Sequence, residues 1–141
     1  MIKKEELASL FLQLSPDFRP AWEKHLAFWG SEPRGDFNDA AVFADTVVEM
    51  YGSSHTEHFP AIFGLIEKFL TEGDEETKGI AVYGYLEDIQ TISSHHPHGM
   101  DVFVPWLGPE SLEAWQHLKE IWAGKGSLME VIRAEIKNQR E

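Results

Sequence analysis

The feature that most constrains the fold is the spacing of the apolar residues, which recur three and four positions apart between Pro and Gly residues. Leu7, Leu10, Phe11 and Leu14 show this spacing in the first segment. It places the side chains on one face of an α-helix. Because Pro and Gly interrupt or end helices, their positions divide the chain into segments. We therefore predict an all-α fold of about seven helices, packed as antiparallel hairpins in a single domain that spans residues 1–141.

The ends of the predicted helices follow from their capping residues. Ser, Thr, Asp and Asn side chains accept hydrogen bonds at helix N-termini, whereas Gly ends many helices. The predicted helices span about 7–14, 20–30, 38–52, 59–73, 75–94, 109–122 and 127–136. The fifth is apolar over a wide arc, which is typical of a central, buried helix. Only Gly73 and Asp74 separate it from the fourth, which predicts an antiparallel hairpin.

Three local patterns add detail to this arrangement. The predicted inner face of the second helix contains Trp22, Leu26 and Trp29, and His25 on the same side is expected to be a hydrogen-bonded core histidine. Alternating apolar residues in 100–106 favour a short extended piece. The stretch 127–130 has the sequence of a capping box and predicts the start of the last helix. The residues of that helix available for packing are Leu128, Val131, Ile132 and Ile136.

The chain is strongly acidic, and its charge is uneven. It has 24 Asp and Glu residues against 12 Lys and Arg, which gives a net charge of −12. No Lys or Arg occurs in 35–67 or in 79–118. A negative field repels phosphate backbones and anionic lipid head groups, so we predict neither a nucleic-acid nor a membrane partner. The same field favours a basic protein partner, although acidic surfaces also serve solubility alone.

Targeting signals and covalent cross-links are not expected. Ser9 and Gln13 interrupt the first apolar stretch, unlike the apolar core of a signal peptide. No apolar run approaches the ~18 residues that a membrane span requires. Cys is absent, which excludes disulfides and thiolate metal sites. We therefore predict a cytoplasmic protein.

Two predicted helices carry carboxylates that suit a binding surface. Asp45 and Glu49 lie one turn apart on the third helix, opposite its apolar face. Glu87 and Asp88 lie on the polar strip of the fifth helix. If the two strips are adjacent in the fold, they form one negative surface. We therefore predict a non-enzymatic, acidic helical protein that binds a protein partner through these four residues.

The segment 103–109 is an apolar loop with two prolines and one tryptophan. Such a loop either folds over the core or is displayed to a partner, and Trp is enriched at interaction hot spots. Large exposed apolar patches are uncommon on monomers, which favours the core. The alternative, in which Phe103 and Trp106 bind a partner or form a homodimer, stays open.

The densest titratable cluster is His95-His96-Pro97-His98. Imidazoles bind Zn, Ni or Cu, but a metal site needs three or four ligands that converge on one point. Pro97 prevents the helical i, i+4 arrangement of ligands, so a polar helix end is the simpler interpretation. The alternative function is a metal-binding protein or metal-dependent hydrolase that combines these histidines with the carboxylates of the fifth helix. No phosphate-binding loop or nucleophile motif is present, and we predict no cofactor and no catalytic residue.

Part of the chain resembles a known group of proteins. The matching residues are Tyr85-Leu86-Glu87-Asp88-Ile89-Gln90, then Trp106-Leu107-Gly108-Pro109-Glu110-Ser111, then Trp115, Leu118 and Trp122. They are similar to the C-terminal half of a group of small, uncharacterised bacterial helical proteins. The resemblance covers about residues 60–136, and the first third of the chain shows none. Members of such groups are sometimes encoded near toxin systems and regarded as candidate immunity proteins, so the resemblance implies an immunity-type function and no catalytic residue.

Overall fold

The structure is a computed structural model that describes the backbone of residues 1–140 and the side chains of residues 1–124. Seven α-helices and no strand are found in this part of the chain. They are α1 (Leu7–Leu14), α2 (Arg19–Trp29), α3 (Asp36–Gly52), α4 (Phe59–Glu72), α5 (Glu75–Ile80), α6 (Glu87–Ser93) and α7 (Pro109–Arg140). The prediction of an all-α fold with about seven helices is confirmed.

α5 and α6 are two parts of one continuous helix, which we call the central helix (residues 75–93). They are joined by a π-helical segment, Ala81–Leu86. Gly84 lies in this segment, where a Cβ atom would be only 3.1 Å from the Cβ of Ala40 in α3. The missing side chain therefore allows α3 to approach closely. The prediction of one long, buried fifth helix is confirmed by the full burial of Ala81, Leu86 and Ile89.

The C-terminal helix differs from the prediction. α7 continues without a break through the stretch 123–127, where we expected one helix to end and another to begin. Gly124 and Gly126 lie inside it, since a Gly in a helix costs only about 1 kcal/mol and does not by itself stop the helix. The predicted packing of residues 128–136 lies outside the described side chains.

Contacts along α3 establish its direction relative to the central helix. Near its start, Phe37 and Ala40 lie against Gly84. Near its end, Tyr51 contacts His98, which follows the central helix in sequence; the two rings are 4.8 Å apart. α3 and the central helix therefore run in the same direction, which agrees with helices joined in successive antiparallel hairpins.

α4 runs in the opposite direction to the central helix. Phe69, near the end of α4, contacts Tyr85 with ring centroids 6.1 Å apart. Gly73 and Asp74 form the turn between the two helices, and the Asp74 carboxylate caps the second by accepting a hydrogen bond from the Thr77 backbone at 2.9 Å. The helical hairpin predicted at this turn is therefore present.

The N-terminal segment is held against this turn by backbone hydrogen bonds. The Ile2 N–H donates to the carbonyl of Glu72 at 2.9 Å, and the Ile2 carbonyl accepts from the Asp74 N–H at 3.0 Å. The Thr77 hydroxyl donates to the same carbonyl at 3.0 Å. Residues 3–8 consequently lie close to the central helix.

The core is built around aromatic rings. Phe11 of α1 is fully buried and stacks between Phe43 of α3, at 5.1 Å, and Tyr85 of the central helix, at 4.7 Å. Phe18 and Phe69 contact its edges. Burying one such side chain contributes about 1.5–3 kcal/mol, so this cluster holds four helices together.

Among the described residues, no helix has the length and low charge needed to cross a membrane.

Candidate functional site

α3 and the central helix bring the two stretches without Lys or Arg together. Asp45 of α3 and Ile92 of the central helix line one groove. Asp88 lies one helical turn before Ile92, on the same side of its helix. Asp45 and Glu49 are exposed, whereas Glu87 and Asp88 are half-buried. The two carboxylate strips therefore belong to neighbouring helices, and we call these four residues the acidic face.

No carboxylate of the acidic face forms an ion pair with a side chain of residues 1–124. The ion pairs in this part of the chain are Lys4–Asp36, Lys4–Glu76, His25–Asp39, Arg34–Asp39, Lys78–Glu75 and Lys119–Asp101. All of them use carboxylates outside the acidic face. Lys24 of α2 lines the same groove as Asp45 but forms no ion pair with it. The acidic face therefore keeps its negative charge.

The titration of Asp88 is shifted by its surroundings. Burial and the negative charge of Glu87 raise the pKa of Asp88 from 3.8 to about 6. At neutral pH the carboxyl is mostly ionised, although burial and Glu87 both oppose the charge. Asp88 therefore reduces the stability of the fold at neutral pH.

We expect Asp88→Asn to stabilise the protein at pH 8 by about 1–2 kcal/mol, because the amide keeps the shape of the side chain and removes its charge. A pKa shift of about two units corresponds to ~3 kcal/mol, and partial solvent exposure of the carboxyl reduces this energy. Since the folded pKa lies above the unfolded one, the penalty of the native Asp88 falls as the pH drops through 6 and is absent below about 4. Urea unfolding of the native protein and the variant at pH 8 and pH 4 measures the difference in their free energies of unfolding. Asp45→Asn, at an exposed position, is the control, and an equal gain from Asp88→Asn at both pH values would contradict the assignment.

The histidine segment follows the end of the central helix. His95 and His96 are exposed, and His98 is half-buried with its ring against Tyr51. The His96 and His98 rings stack at 5.2 Å, and Nδ1 of His98 lies 2.6 Å from the carbonyl oxygen of Gly99. Within the described side chains, no group of three or more His, Asp or Glu residues is placed to hold a metal ion.

The apolar segment after the histidines is a 3-10 helix, Asp101–Trp106, rather than the extended piece we expected. A 3-10 helix repeats every three residues, so Phe103 and Trp106 lie on one side. Phe103 is fully buried, 5.3 Å from the ring of Tyr51 and 6.0 Å from that of Phe63. Trp106 is half-buried, 4.9 Å from Phe59. The core alternative is therefore supported for this segment, and Phe103 presents no surface to a partner.

A polar cluster joins α2 to the start of α3. Nε2 of His25 lies 2.7 Å from Oδ1 of Asp39, and the Arg34 Nε–H donates to the same oxygen at 3.0 Å. The Arg34 guanidinium also lies 5.4 Å from the centre of the Trp22 ring, a cation–π contact. His25 is thus hydrogen-bonded as expected. Leu26 is 38% exposed, because the buried stripe of α2 follows Trp22 and His25 instead.

Asp39 also lines a cavity of about 300 Å³ that the sequence analysis did not predict. Its other polar lining residues are Lys4, Glu5, Arg34, Asp36 and Tyr85. They come from three segments that are far apart in the sequence. No local pattern links them, and Tyr85 does not stand out in its helix, because Tyr83 lies two residues before it. Charged groups of both signs around a buried phenol can bind a small polar molecule.

Comparison with known proteins places the chain in a family. No curated protein and no solved structure matches it significantly. The family model described as "Domain of unknown function (DUF7674)" matches residues 8–123. The match begins within the first third of the chain, for which the sequence motifs showed no resemblance. It includes the acidic face, but it leaves out Lys4 and Glu5 of the cavity. Since it covers well over half of the residues, the chain belongs to the DUF7674 family.

Proposed function

We propose that this protein is a non-enzymatic interaction protein whose acidic face binds a basic protein partner. The observation that carries the proposal is the absence of any ion pair at Asp45, Glu49, Glu87 and Asp88 within the described side chains. Carboxylates without an ion-pair partner among the described side chains are available to Lys and Arg residues of another protein. The groove between α3 and the central helix supports the proposal, because it is lined by Asp45 and by Ile92, which lies one helical turn after Asp88.

Electrostatics determines what such a face does. A net charge of −12 accelerates the encounter with a basic partner over long distances. Exposed charge pairs contribute more to the association rate than to the affinity. Salt screens this attraction, because the Debye length is about 8 Å at physiological ionic strength. The proposal therefore requires an association rate that falls steeply with salt.

An immunity-type role is the more specific form of the proposal. The resemblance of residues 60–136 to bacterial helical proteins encoded near toxin systems supports it, and a basic toxin would complement the charge. The protein would then act in the cytoplasm by covering the toxin surface rather than by catalysis. The metal-dependent alternative has no comparable support, since the described side chains offer no three-ligand group.

The test uses charge reversal on two neighbouring helices. Basic proteins encoded beside the gene are screened for binding, and the association rate is measured at low and at physiological salt. We expect Asp45→Lys with Glu49→Lys, and separately Glu87→Lys with Asp88→Lys, to slow association about tenfold or more. Circular dichroism checks that helicity is unchanged.

The matched control places the same charge change elsewhere. Glu23 and Glu32 are exposed and lie outside the acidic face. Glu23→Lys with Glu32→Lys changes the net charge equally, so it isolates the effect of position from that of total charge. We expect this control to lower the logarithm of the association rate by less than half as much as the double variants of the acidic face do. The proposal fails if all three double variants slow association equally, or if none does.

A further inference from the structure

Tyr85 is a buried residue whose hydroxyl has no hydrogen-bond partner within the described part of the chain. The residue is 2% exposed, and its ring is fixed by stacking on Phe11 at 4.7 Å. It lines the cavity described above. No hydrogen bond to its hydroxyl is formed by any group in the described part of the chain. Because Tyr85 lines the cavity, its hydroxyl is available to a group that enters there.

Carboxylates lie close to this hydroxyl. Burial raises the pKa of Tyr85, and the negative charges of Asp39 and Asp36 raise it further. The phenol therefore stays protonated and is available both as a donor and as an acceptor. Oδ1 of Asp39 already accepts from His25 and Arg34, which fixes the position of this carboxylate at the cavity.

The charges around the cavity favour a cation over an anion. Lys4 bonds to Glu76 at 2.9 Å, and Arg34 bonds to Asp39 at 3.0 Å, so both lining cations already have a carboxylate partner. Asp36 lies 3.7 Å from the Lys4 ammonium, too far for a hydrogen bond. Glu5 forms no ion pair with the described side chains. Two carboxylates thus keep free acceptor oxygens.

We propose that this cavity is a binding site for a small organic cation, in which a primary ammonium or amidinium group donates to Asp36 and Glu5. A hydroxyl or carbonyl of the same molecule bonds to Tyr85. The volume of about 300 Å³ lies at the lower end of ligand pockets, which limits the ligand to a small metabolite-sized molecule. This site is separate from the acidic face and independent of the proposed protein partner.

The test uses three small molecules of the same size and different charge. Each of the three has a hydroxyl and a second group, which is an ammonium in ethanolamine, a second hydroxyl in ethylene glycol and a carboxylate in glycolate. Calorimetric titration and thermal unfolding of the full chain measure binding. We expect saturable binding of ethanolamine, with a rise in melting temperature, and none of ethylene glycol or glycolate.

Variants distinguish this site from general attraction to an acidic protein. Tyr85→Phe keeps the ring in the core and removes the hydroxyl, and Asp36→Asn removes the nearby charge. Each is expected to weaken amine binding about tenfold. Asp45→Asn, on the acidic face, is expected to leave it unchanged. The inference is overturned if glycolate binds as well as ethanolamine, if ethanolamine does not bind saturably, or if Asp45→Asn weakens binding as much as Asp36→Asn.

Discussion

Replacing Phe103 with Ala is expected to lower the free energy of unfolding by about 3–5 kcal/mol, the usual cost of removing a buried Phe ring. Phe103 is fully buried and contacts Tyr51, Phe59 and Phe63, which come from two other helices. The ring therefore fixes the segment 101–106 on the core. Its loss leaves a cavity that these rigid neighbours fill only partly. Urea unfolding measures the free energy, and thermal unfolding should show a melting temperature lower by about 10–20 °C.

Phe28 provides the matched control because it is the same residue type at an exposed position. It is 83% exposed on α2. Phe28→Ala is expected to change the free energy of unfolding by no more than about 0.5 kcal/mol. If Phe103→Ala were as mild as Phe28→Ala, Phe103 would not be a core residue, and the interface alternative for this segment would return.

The helices themselves could be predicted because their signals are local. Apolar spacing, Gly73 with Asp74, and the Pro residues at helix starts each act within a few positions of the chain. The exposure of Asp45 and Glu49 follows from the same spacing, since both lie opposite the apolar side of α3. Some local signals were misleading. Two Gly residues and a capping-box sequence predicted a break between two helices, but α7 continues through them.

The relation between helices could not be derived from periodicity. No local pattern specifies that Gly84 of the central helix packs closely against Ala40 of α3. The cavity around Tyr85 requires three segments to meet, and each contributes residues that look ordinary in its own sequence context. The alternating pattern of 100–106 was ambiguous for a similar reason. Phe103 and Trp106 both pack against α4. This packing favours the three-residue repeat of a 3-10 helix over the two-residue repeat of a strand.

The junction between α4 and α7 depends on one carboxylate. Glu67 accepts hydrogen bonds from the Glu110 N–H at 3.0 Å, and from the N–H and hydroxyl of Ser111 at 2.8 Å each. It therefore caps the positive end of the α7 dipole from a neighbouring helix. Burial alone would raise the pKa of Glu67, but these hydrogen bonds outweigh it, and the pKa lies below its usual 4.5.

Gly108→Ala is expected to break this cap and to lower the free energy of unfolding by about 2–3 kcal/mol. A Cβ atom at Gly108 would lie 2.5 Å from the carboxyl carbon of Glu67 and 2.6 Å from Oε1, so the carboxylate must leave the helix end. Gly64→Ala, in α4, is the control, since no atom lies within 4 Å of its added Cβ; it should be neutral or stabilising by up to ~1 kcal/mol. Equal effects of the two substitutions would show that Glu67 is free to move.

The pH dependence tests the charge of the same cap. Because the folded pKa of Glu67 lies below the unfolded value, its contribution is complete well above pH 4.5 and is lost as the pH falls below that value toward the folded pKa. Glu67→Gln keeps one acceptor oxygen and removes the charge, so we expect it to cost about 1–2 kcal/mol at pH 7 and little at pH 3. Urea unfolding of both proteins at the two pH values gives the difference. A cost that is the same at pH 3 and pH 7 would mean that packing, rather than the ionised carboxylate, holds the start of α7 against α4.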